Sequence, residues 1–299
     1  MEEKNKKRKR ILVTGGAGFI GSHLCGRLLK EGHKVISLDN YFTGSRDNHI
    51  AGVEYITGHT KDIERHVKET PDIIYHLGEY SRVAKSLEEP ALVWDLNMEG
   101  TFGVLEFWRK HKCKLVYAGS STKFTGPRSN DKVGGRDLSP YTWMKAANSE
   151  QVRNYGRWYN LPYAIVYFYN VYGPRERAEV DRYGTVIETF KQRYLHNKPL
   201  EVRSPGTQTR FFTHVDDAVS GIILVGEKGE GDEYGIGAQE HFSLLEVAKM
   251  FGGKIKMLSA TKSTRSSAVV NSNKVKALGW KQTKTLKDYI ESVKRERNK

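Results

Sequence analysis

Residues 11–21 combine a short apolar run with regularly spaced glycines, and this segment restricts the possible folds more than any other. Residues 11–13 are apolar, largely β-branched and without helical spacing, which predicts a strand buried on both faces. Gly15, Gly18 and Gly21 follow at three-residue intervals, and apolar residues then recur at helical spacing. A strand, a glycine turn and a helix in this order are typical of a dinucleotide-binding unit.

The three glycines have the properties that a pyrophosphate site needs. Gly15 can adopt the backbone of a tight turn, and Gly18 has no side chain to block a phosphate. Gly21 lets the helix lie close to the strand. The helix N-terminus then offers free N–H groups and the positive end of a dipole to the phosphates.

An acidic residue follows the next predicted strand, which covers residues 34–38. Asp39 stands eighteen residues after Gly21. A carboxylate at the end of this strand can accept both ribose hydroxyls of NAD and would repel a 2′-phosphate. We therefore expect NAD as the cofactor.

Short strands and helices alternate over the first 170 residues of this 299-residue chain. This order predicts an α/β fold of the Rossmann type, with a doubly wound parallel sheet and helices on both faces. Beyond residue 170 the pattern predicts a smaller mixed α/β portion for the substrate. We expect an NAD-binding domain over 1–170 and a mainly substrate-binding domain over 171–299, with some segments returning to the first.

The net charge of +14 lies partly in basic runs at the two ends of the chain. No nucleic-acid recognition motif accompanies this charge, so we expect no nucleic-acid partner. The sequence has no apolar run long enough to span a membrane, and its basic start lacks the apolar stretch of a signal peptide, so we expect neither. Its two cysteines have no metal-ligand spacing. We expect a cytoplasmic protein with reduced thiols and no metal.

Tyr141 and Lys145 are one helical turn apart at the head of a predicted helix. Side chains at this spacing share a helix face. A cation beside the phenol, and another on an oxidised nicotinamide, favours the phenolate, so Tyr141 is a candidate general base. Ser120 and Thr122 follow a predicted strand at the sheet edge that should face the nicotinamide, and one such hydroxyl could share a proton with Tyr141 and a sugar oxygen.

Six segments carry a resemblance to a known family: VTGGAGFIGSHL at 13–24, LDNYFTG at 38–44, HLGE at 76–79, YAGSST at 117–122, PYTWMK at 140–145 and YNVYGPR at 169–175. The chain resembles the extended short-chain dehydrogenase/reductases, in particular the NAD-dependent epimerase/dehydratase family and its nucleotide-sugar epimerases of the UDP-glucose 4-epimerase type.

The resemblance implies tightly held NAD, a UDP-sugar substrate and a homodimer formed through two long helices. It implies that Ser120, Tyr141 and Lys145 are catalytic, with Tyr141 taking the proton of the sugar 4-hydroxyl. The implied cofactor-binding residues are Gly15, Gly18, Phe19, Ile20, Gly21, Asp39, Asn40, Thr43, Gly44, Thr60, Leu77, Gly78, Tyr141, Lys145 and Phe168. The implied substrate-binding residues are Ser81, Ser120, Thr122, Asn170, Val186, Arg210 and Arg265.

The chain also departs from the family pattern. Related 4,6-dehydratases carry two acids where Ser121 and Thr122 stand, and UDP-glucuronate decarboxylases carry a Glu in place of Thr122. Where the family has an acidic residue beside adenine, this chain has His59. A Leu-Ala-Ala turn is Leu77-Gly78-Glu79 here, and we expect Glu79 to bind a sugar hydroxyl or, more simply, to pair with Arg82.

The first functional hypothesis is therefore an NAD-dependent 4-epimerase acting on a UDP-hexose, glucose/galactose or the N-acetylated pair, through a transient 4-keto sugar. The alternatives are a nucleotide-sugar lyase, either dehydratase or decarboxylase, a 4-keto-sugar reductase that releases NAD, and a non-catalytic NAD-binding regulator. The Tyr141 and Lys145 pair disfavours the regulator, because sensing needs neither residue.

Overall fold

The computed structural model describes residues 7–124, 135–176, 184–259 and 270–297. Seven parallel strands form the central sheet in the order β3-β2-β1-β4-β5-β6-β11. They are β1 (Arg10–Thr14), β2 (Lys34–Asp39), β3 (Glu54–Thr57), β4 (Ile73–His76), β5 (Lys114–Ser120), β6 (Tyr163–Phe168) and β11 (Gly231–Ile236). The predicted doubly wound parallel sheet is confirmed.

Helices cover both faces of this sheet. They are α1 (Phe19–Lys30), α2 (Ile63–His66), α3 (Pro90–Val93), α4 (Gly100–His111), α5 (Pro140–Tyr159) and α7 (Val215–Lys228), with α9 (Asn273–Ala277) beside β11. Ile11 and Val13 of β1 belong to a core with α1 and α7, whereas Leu12 belongs to a core with α4 and α5. Successive strand side chains point to opposite faces, so a fully apolar strand is buried on both sides.

A π-helical segment, Trp94–Glu99, joins α3 to α4, so residues 90–111 form one continuous helical stretch. The side chain of Asn97 in this segment accepts from the Tyr80 N–H at 2.6 Å and donates to the Tyr80 carbonyl at 3.1 Å. The segment thereby fixes the loop that follows β4. The residue pattern over 91–111 predicts a long helix but not its change of pitch.

The remaining elements form a smaller portion with its own core. Its strands are β7 (Val171–Tyr172), β8 (Leu200–Arg203), β9 (Thr209–Phe211), β10 (Thr213–His214), β12 (His241–Ser243) and β13 (Ile255–Leu258). Its helices are α6 (Val186–Leu195), α8 (Leu244–Phe251) and α10 (Leu286–Arg297), which pack around β8 and β13 through Phe190, Val202 and Ile290. Within the described ranges, no helix has the length and apolar character that crossing a membrane requires.

Candidate functional site

A cleft of about 570 Å³ lies at the carboxyl ends of the parallel strands. Its walls come from the ends of β1, β2, β4, β5 and β6 and from α6, β9 and α8 of the smaller portion. The chain leaves β1 toward β2 and β3 and later returns to β4 on the other side of β1. Ligands of open α/β sheets bind at such a reversal.

The glycine loop after β1 has no room for side chains. Gly15 has φ +74°, and a Cβ there would lie 2.8 Å from the Cα of Gly78. A Cβ at Gly21 would lie 2.0 Å from the Gly15 carbonyl oxygen. The loop can close against α1 and Gly78 only with glycine at these positions, which leaves its backbone open to the cleft.

Asp39 ends β2 and lines the cleft. Its two carboxylate oxygens accept from the Ala17 N–H at 2.9 Å and from the Tyr41 N–H at 2.8 Å. Burial raises the pKa of Asp39, although these two N–H groups favour the charged form. The same carboxylate that is predicted to bind ribose therefore also fixes the glycine loop, and carboxylate oxygens retain lone pairs for ligand hydroxyls.

A chain of three hydroxyl groups lies where β5 meets α5. The Ser120 and Thr122 hydroxyls are 2.8 Å apart, and the Tyr141 hydroxyl donates to Ser120 at 3.3 Å. Pro140 opens α5, and Ser139 and Thr142 cap it reciprocally, so Tyr141 is fixed in the first turn. The structure thus brings together the three predicted hydroxyls from distant parts of the chain.

Lys145 reaches the same end of the cleft from the next turn of α5. Its ammonium donates to the Glu79 carboxylate and to the Ala118 carbonyl, and it lies 4.6 Å from the centre of the Tyr117 ring. We expected Glu79 to pair with Arg82, and this expectation was wrong, because the buried partner of Glu79 is Lys145. The two residues are 66 positions apart, so no local sequence pattern could predict this contact.

Most of the other predicted site residues also line this cleft, and their roles stay predictions. They are Gly15, Gly18, Phe19, Ile20, Gly21, Asn40, Thr43, Thr60, Leu77, Gly78, Phe168, Ser81, Asn170, Val186 and Arg210. Gly44 is not part of the wall but lies against Asp39, where a Cβ would come within 2.9 Å of a carboxylate oxygen. Arg265 lies outside the described residues.

The sequence gave no role to Glu176, which is buried at the edge of the cleft. Its carboxyl accepts from the Thr185 N–H at 2.7 Å and from the Thr185 hydroxyl at 2.8 Å. Burial raises the pKa of Glu176 to about 7 despite these two donors. Thr185 also caps α6, so this contact fixes the helix that carries Val186. Only the position of Glu176 next to the YNVYGPR motif could have drawn attention to it.

Comparison with known proteins identifies the family. Residues 11–237 match the model of the NAD dependent epimerase/dehydratase family. The chain belongs to this family. This assignment confirms the resemblance inferred from the six motifs, and it makes the protein an enzyme of the nucleotide-sugar epimerase, dehydratase and decarboxylase group with NAD as its cofactor.

Three relatives within the family show how broad its chemistry is. A UDP-N-acetyl-alpha-D-glucosaminuronate decarboxylase of Bacillus cytotoxicus is 33% identical over 81% of this chain and 79% of its own length. The UDP-glucose 4-epimerase of Thermotoga maritima, solved with UDP-glucose, is 26% identical with a TM-score of 0.87 and covers 97% of this chain and 99% of its own. The UDP-glucose 4-epimerase of Thermus thermophilus, solved with NAD, is 28% identical with a TM-score of 0.85 and the same coverage.

The described residues fit NAD. The glycine loop, with Gly15 and Gly18 in the cleft wall, provides backbone N–H groups at the start of α1 for a pyrophosphate. Asp39 lies in the cleft wall where β2 ends, and the buried Thr60 lines the same wall. Tyr141 and Lys145 lie at the far end, beyond Leu77 and Gly78. These groups would hold the dinucleotide along the carboxyl edge of the sheet.

Proposed function

We propose that this enzyme is a UDP-sugar 4-epimerase that inverts C4 of a UDP-hexose, glucose/galactose or the N-acetylated pair, through a transient 4-keto sugar. The observation that carries this proposal is the all-hydroxyl chain of Tyr141, Ser120 and Thr122. These three groups would offer a proton acceptor and two hydroxyl partners to one sugar oxygen, and none of the three is a carboxyl group. A dehydratase needs an acid to expel water from C6, and Ser121 and Thr122 supply none.

Each of the three hydroxyl residues would have a defined role in the reaction. Bound NAD supplies the site that takes up and returns the hydrogen of C4. Tyr141, as a phenolate, would accept the proton of the sugar 4-hydroxyl. It would return this proton after the 4-keto sugar has rotated in the site. Ser120 would orient this oxygen, and Thr122 would fix Ser120 at 2.8 Å. The buried Lys145 would orient cofactor and keep a cation close to the reacting groups.

The diphosphate of the substrate would lie between the two portions of the molecule. Asn170 has φ +40° and donates to the Phe211 carbonyl at 2.7 Å, so β9 and the loop after β6 are tied together. Arg210 of β9 lines the cleft, and a guanidinium matches phosphate geometry. The N-terminus of α6 at Val186 lines the same wall and favours an anion.

A decarboxylase acting on the same kind of 4-keto intermediate is the second candidate. The observation in its favour is the 33% identity to the decarboxylase of Bacillus cytotoxicus. The two reactions differ in product mass, because epimerisation leaves it unchanged. Incubation with UDP-glucose, UDP-N-acetylglucosamine, UDP-glucuronate and dTDP-glucose, followed by mass spectrometry and NMR, separates them. We expect an isomer of a UDP-hexose, and loss of carbon dioxide or water would overturn the proposal.

We also propose that the enzyme forms a homodimer through the outer face of α4 and α5. Trp94 and Phe102 are 46% and 54% exposed, and with Met98 they line one groove beside Gln151 of α5. These three apolar residues recur every four positions along the continuous helical stretch at 90–111, so they form a single stripe. A second copy of the chain, presenting the same stripe, would cover it by two-fold symmetry.

A further inference from the structure

Glu79 is a carboxylate that the proposed chemistry does not use, and yet it lies at the reacting end of the cleft. It follows β4 in the loop fixed by Asn97, and its side chain is only 2% exposed. A carboxylate that is buried without partners destabilises the folded protein strongly, because the ion loses its hydration. The surroundings of Glu79 therefore show whether the site is built for its charge.

Four donors from three elements converge on this carboxylate. One oxygen accepts from the Thr101 hydroxyl at 3.0 Å, the Tyr117 hydroxyl at 3.1 Å and the Asn148 amide at 2.9 Å. The other oxygen accepts from the Lys145 ammonium. Burial raises the pKa of Tyr117 well above its usual value, so this phenol keeps its proton and donates it.

A neutral histidine extends this network and fixes its direction. Burial lowers the pKa of His76 to about 4. The Thr101 hydroxyl donates its single proton to Glu79. It must therefore accept a hydrogen bond from His76 Nε2, which is 3.0 Å away. His76 Nδ1 is then the acceptor of the Thr14 hydroxyl at 2.7 Å. The protons of Thr14, His76 and Thr101 are thus all directed along this row toward Glu79, which suits a charged carboxylate at its end.

The ionisation of Glu79 follows from these contacts. Burial alone would raise the pKa of Glu79, but the Lys145 ammonium and the hydrogen-bond donors outweigh it and lower the pKa. Lys145 is also buried, with 6% of its side chain exposed. The Tyr141 end of the cleft therefore holds one positive and one negative charge, and the pair is neutral overall.

We propose that Glu79 is a positioning residue that holds the Lys145 ammonium and makes the nicotinamide end of the cleft favour oxidised over reduced cofactor. The nicotinamide ring is positively charged only in its oxidised form. In a cleft of low dielectric the Lys145 ammonium alone would repel that form, and the Glu79 carboxylate offsets this repulsion while leaving the uncharged, reduced ring unaffected. This inference rests on the proposed function, because an epimerase begins and ends each cycle with oxidised cofactor.

A purely structural ion pair would not produce this preference. Such a pair stabilises a buried site weakly or not at all, and an apolar pair of similar volume does as well. The test is therefore the ratio of the dissociation constants for NAD and NADH, measured on cofactor-free protein by NADH fluorescence with NAD as competitor. Glu79→Gln removes the charge and keeps the shape. Glu79→Ala removes both and is a second variant if the first does not fold.

We expect both variants to shift the ratio toward NADH by about tenfold, the order expected for loss of one unit charge in the cleft. Glu176→Gln is the matched control at about pH 8, because it removes another buried cleft carboxylate that contacts Thr185 rather than Lys145. Its ratio should stay within about twofold of the original. An unchanged ratio in the Glu79 variants, with both cofactors still bound, would overturn the inference.

The experiment needs no sugar, so its outcome is separable from that of the proposed function. A shifted ratio in a protein that converts no UDP-sugar would leave the role of Glu79 standing and remove the epimerase proposal. An unshifted ratio in an active epimerase would do the reverse.

Discussion

The Glu176 carboxyl shows how one buried residue makes stability depend on pH. An exposed glutamate titrates near 4.5, whereas burial raises the pKa of Glu176 to about 7. The unfolded chain releases this proton first, so folding loses stability as the pH rises between these two values. Glutamine cannot ionise. Its amide oxygen can accept from the Thr185 N–H, and its NH2 group can donate to the Thr185 hydroxyl oxygen in place of the second bond.

The free energy of unfolding of Glu176→Gln, taken relative to that of the original protein, should therefore rise by about 2–3 kcal/mol as the pH is raised from about 5 to about 8. Urea unfolding at the two pH values measures it. An identical pH dependence in the two proteins would show that the Glu176 pKa is not raised.

Contacts between individual residues that are far apart in the chain were the hardest to predict from the sequence. Tyr141 and Ser120 could be singled out because each is part of a local motif. The pairing of Lys145 with Glu79 joins residues 66 positions apart, and it arises because α5 packs on β5, beside the loop that follows β4. Local spacing does not encode such a contact. The burial of Glu176 likewise depends on where α6 begins.

At the scale of elements, the main strands and helices could be predicted because each carries its own period. The apolar spacing at 244–251 predicts a helix, and Leu244–Phe251 forms one. The spacing at 141–159 predicts another, which begins one residue earlier at Pro140. The strand Gly231–Ile236 was not predicted, because two glycines and two acids give it no continuous apolar pattern. It becomes a strand by pairing with β6. The short pairs β7 with β10 and β9 with β12 depend on tertiary contacts in the same way.

The turn after β2 leads to a prediction on cofactor choice. Asp39 carries the charge that would repel a 2′-phosphate, and it also holds Ala17 and Tyr41. Asp39→Asn removes the charge and keeps an acceptor oxygen. We expect it to raise the affinity for NADP relative to NAD by about tenfold, the order of one like-charge contact at short range. Fluorescence titration with NADH and NADPH measures this.

Asp39→Ala is the companion variant, because it also removes the hydrogen bonds to the glycine loop. It should weaken both cofactors and lower the melting temperature, whereas Asp39→Asn should change the melting temperature less. Equal affinity of the original protein for NADH and NADPH would contradict the role given to Asp39.

The apolar stripe of Trp94, Met98 and Phe102 predicts the oligomeric state of the whole molecule. Phe102→Arg places a charge at the most exposed residue of the stripe, and burying an unpaired charge in an interface is costly. We expect the variant to be monomeric where the original protein is dimeric, as measured by size-exclusion chromatography with light scattering. Met257→Arg is the matched control, because Met257 is also exposed, at 46%, but lies on β13 away from the stripe.

Dimers of both variants, or a monomeric original protein, would show that the stripe is not the interface. The domain division at residue 170 stays a prediction. The parallel sheet and the smaller core around Phe190 and Phe251 each have their own apolar pattern. What the sequence did not show is the wall that they build together, which includes Glu176, Thr185 and Leu244.

We propose that Tyr141 and its hydroxyl partners invert C4 of a UDP-sugar. Proton NMR of UDP-galactose and of UDP-N-acetylgalactosamine incubated with the protein and NAD tests it most directly, with Tyr141→Phe as the comparison. We expect the original protein to bring one of these sugars to equilibrium with its C4 epimer. Tyr141→Phe should bind NAD and convert the sugar at least about a hundredfold more slowly. Undiminished conversion by Tyr141→Phe, or unaltered configuration at C4 with the original protein, would contradict the account.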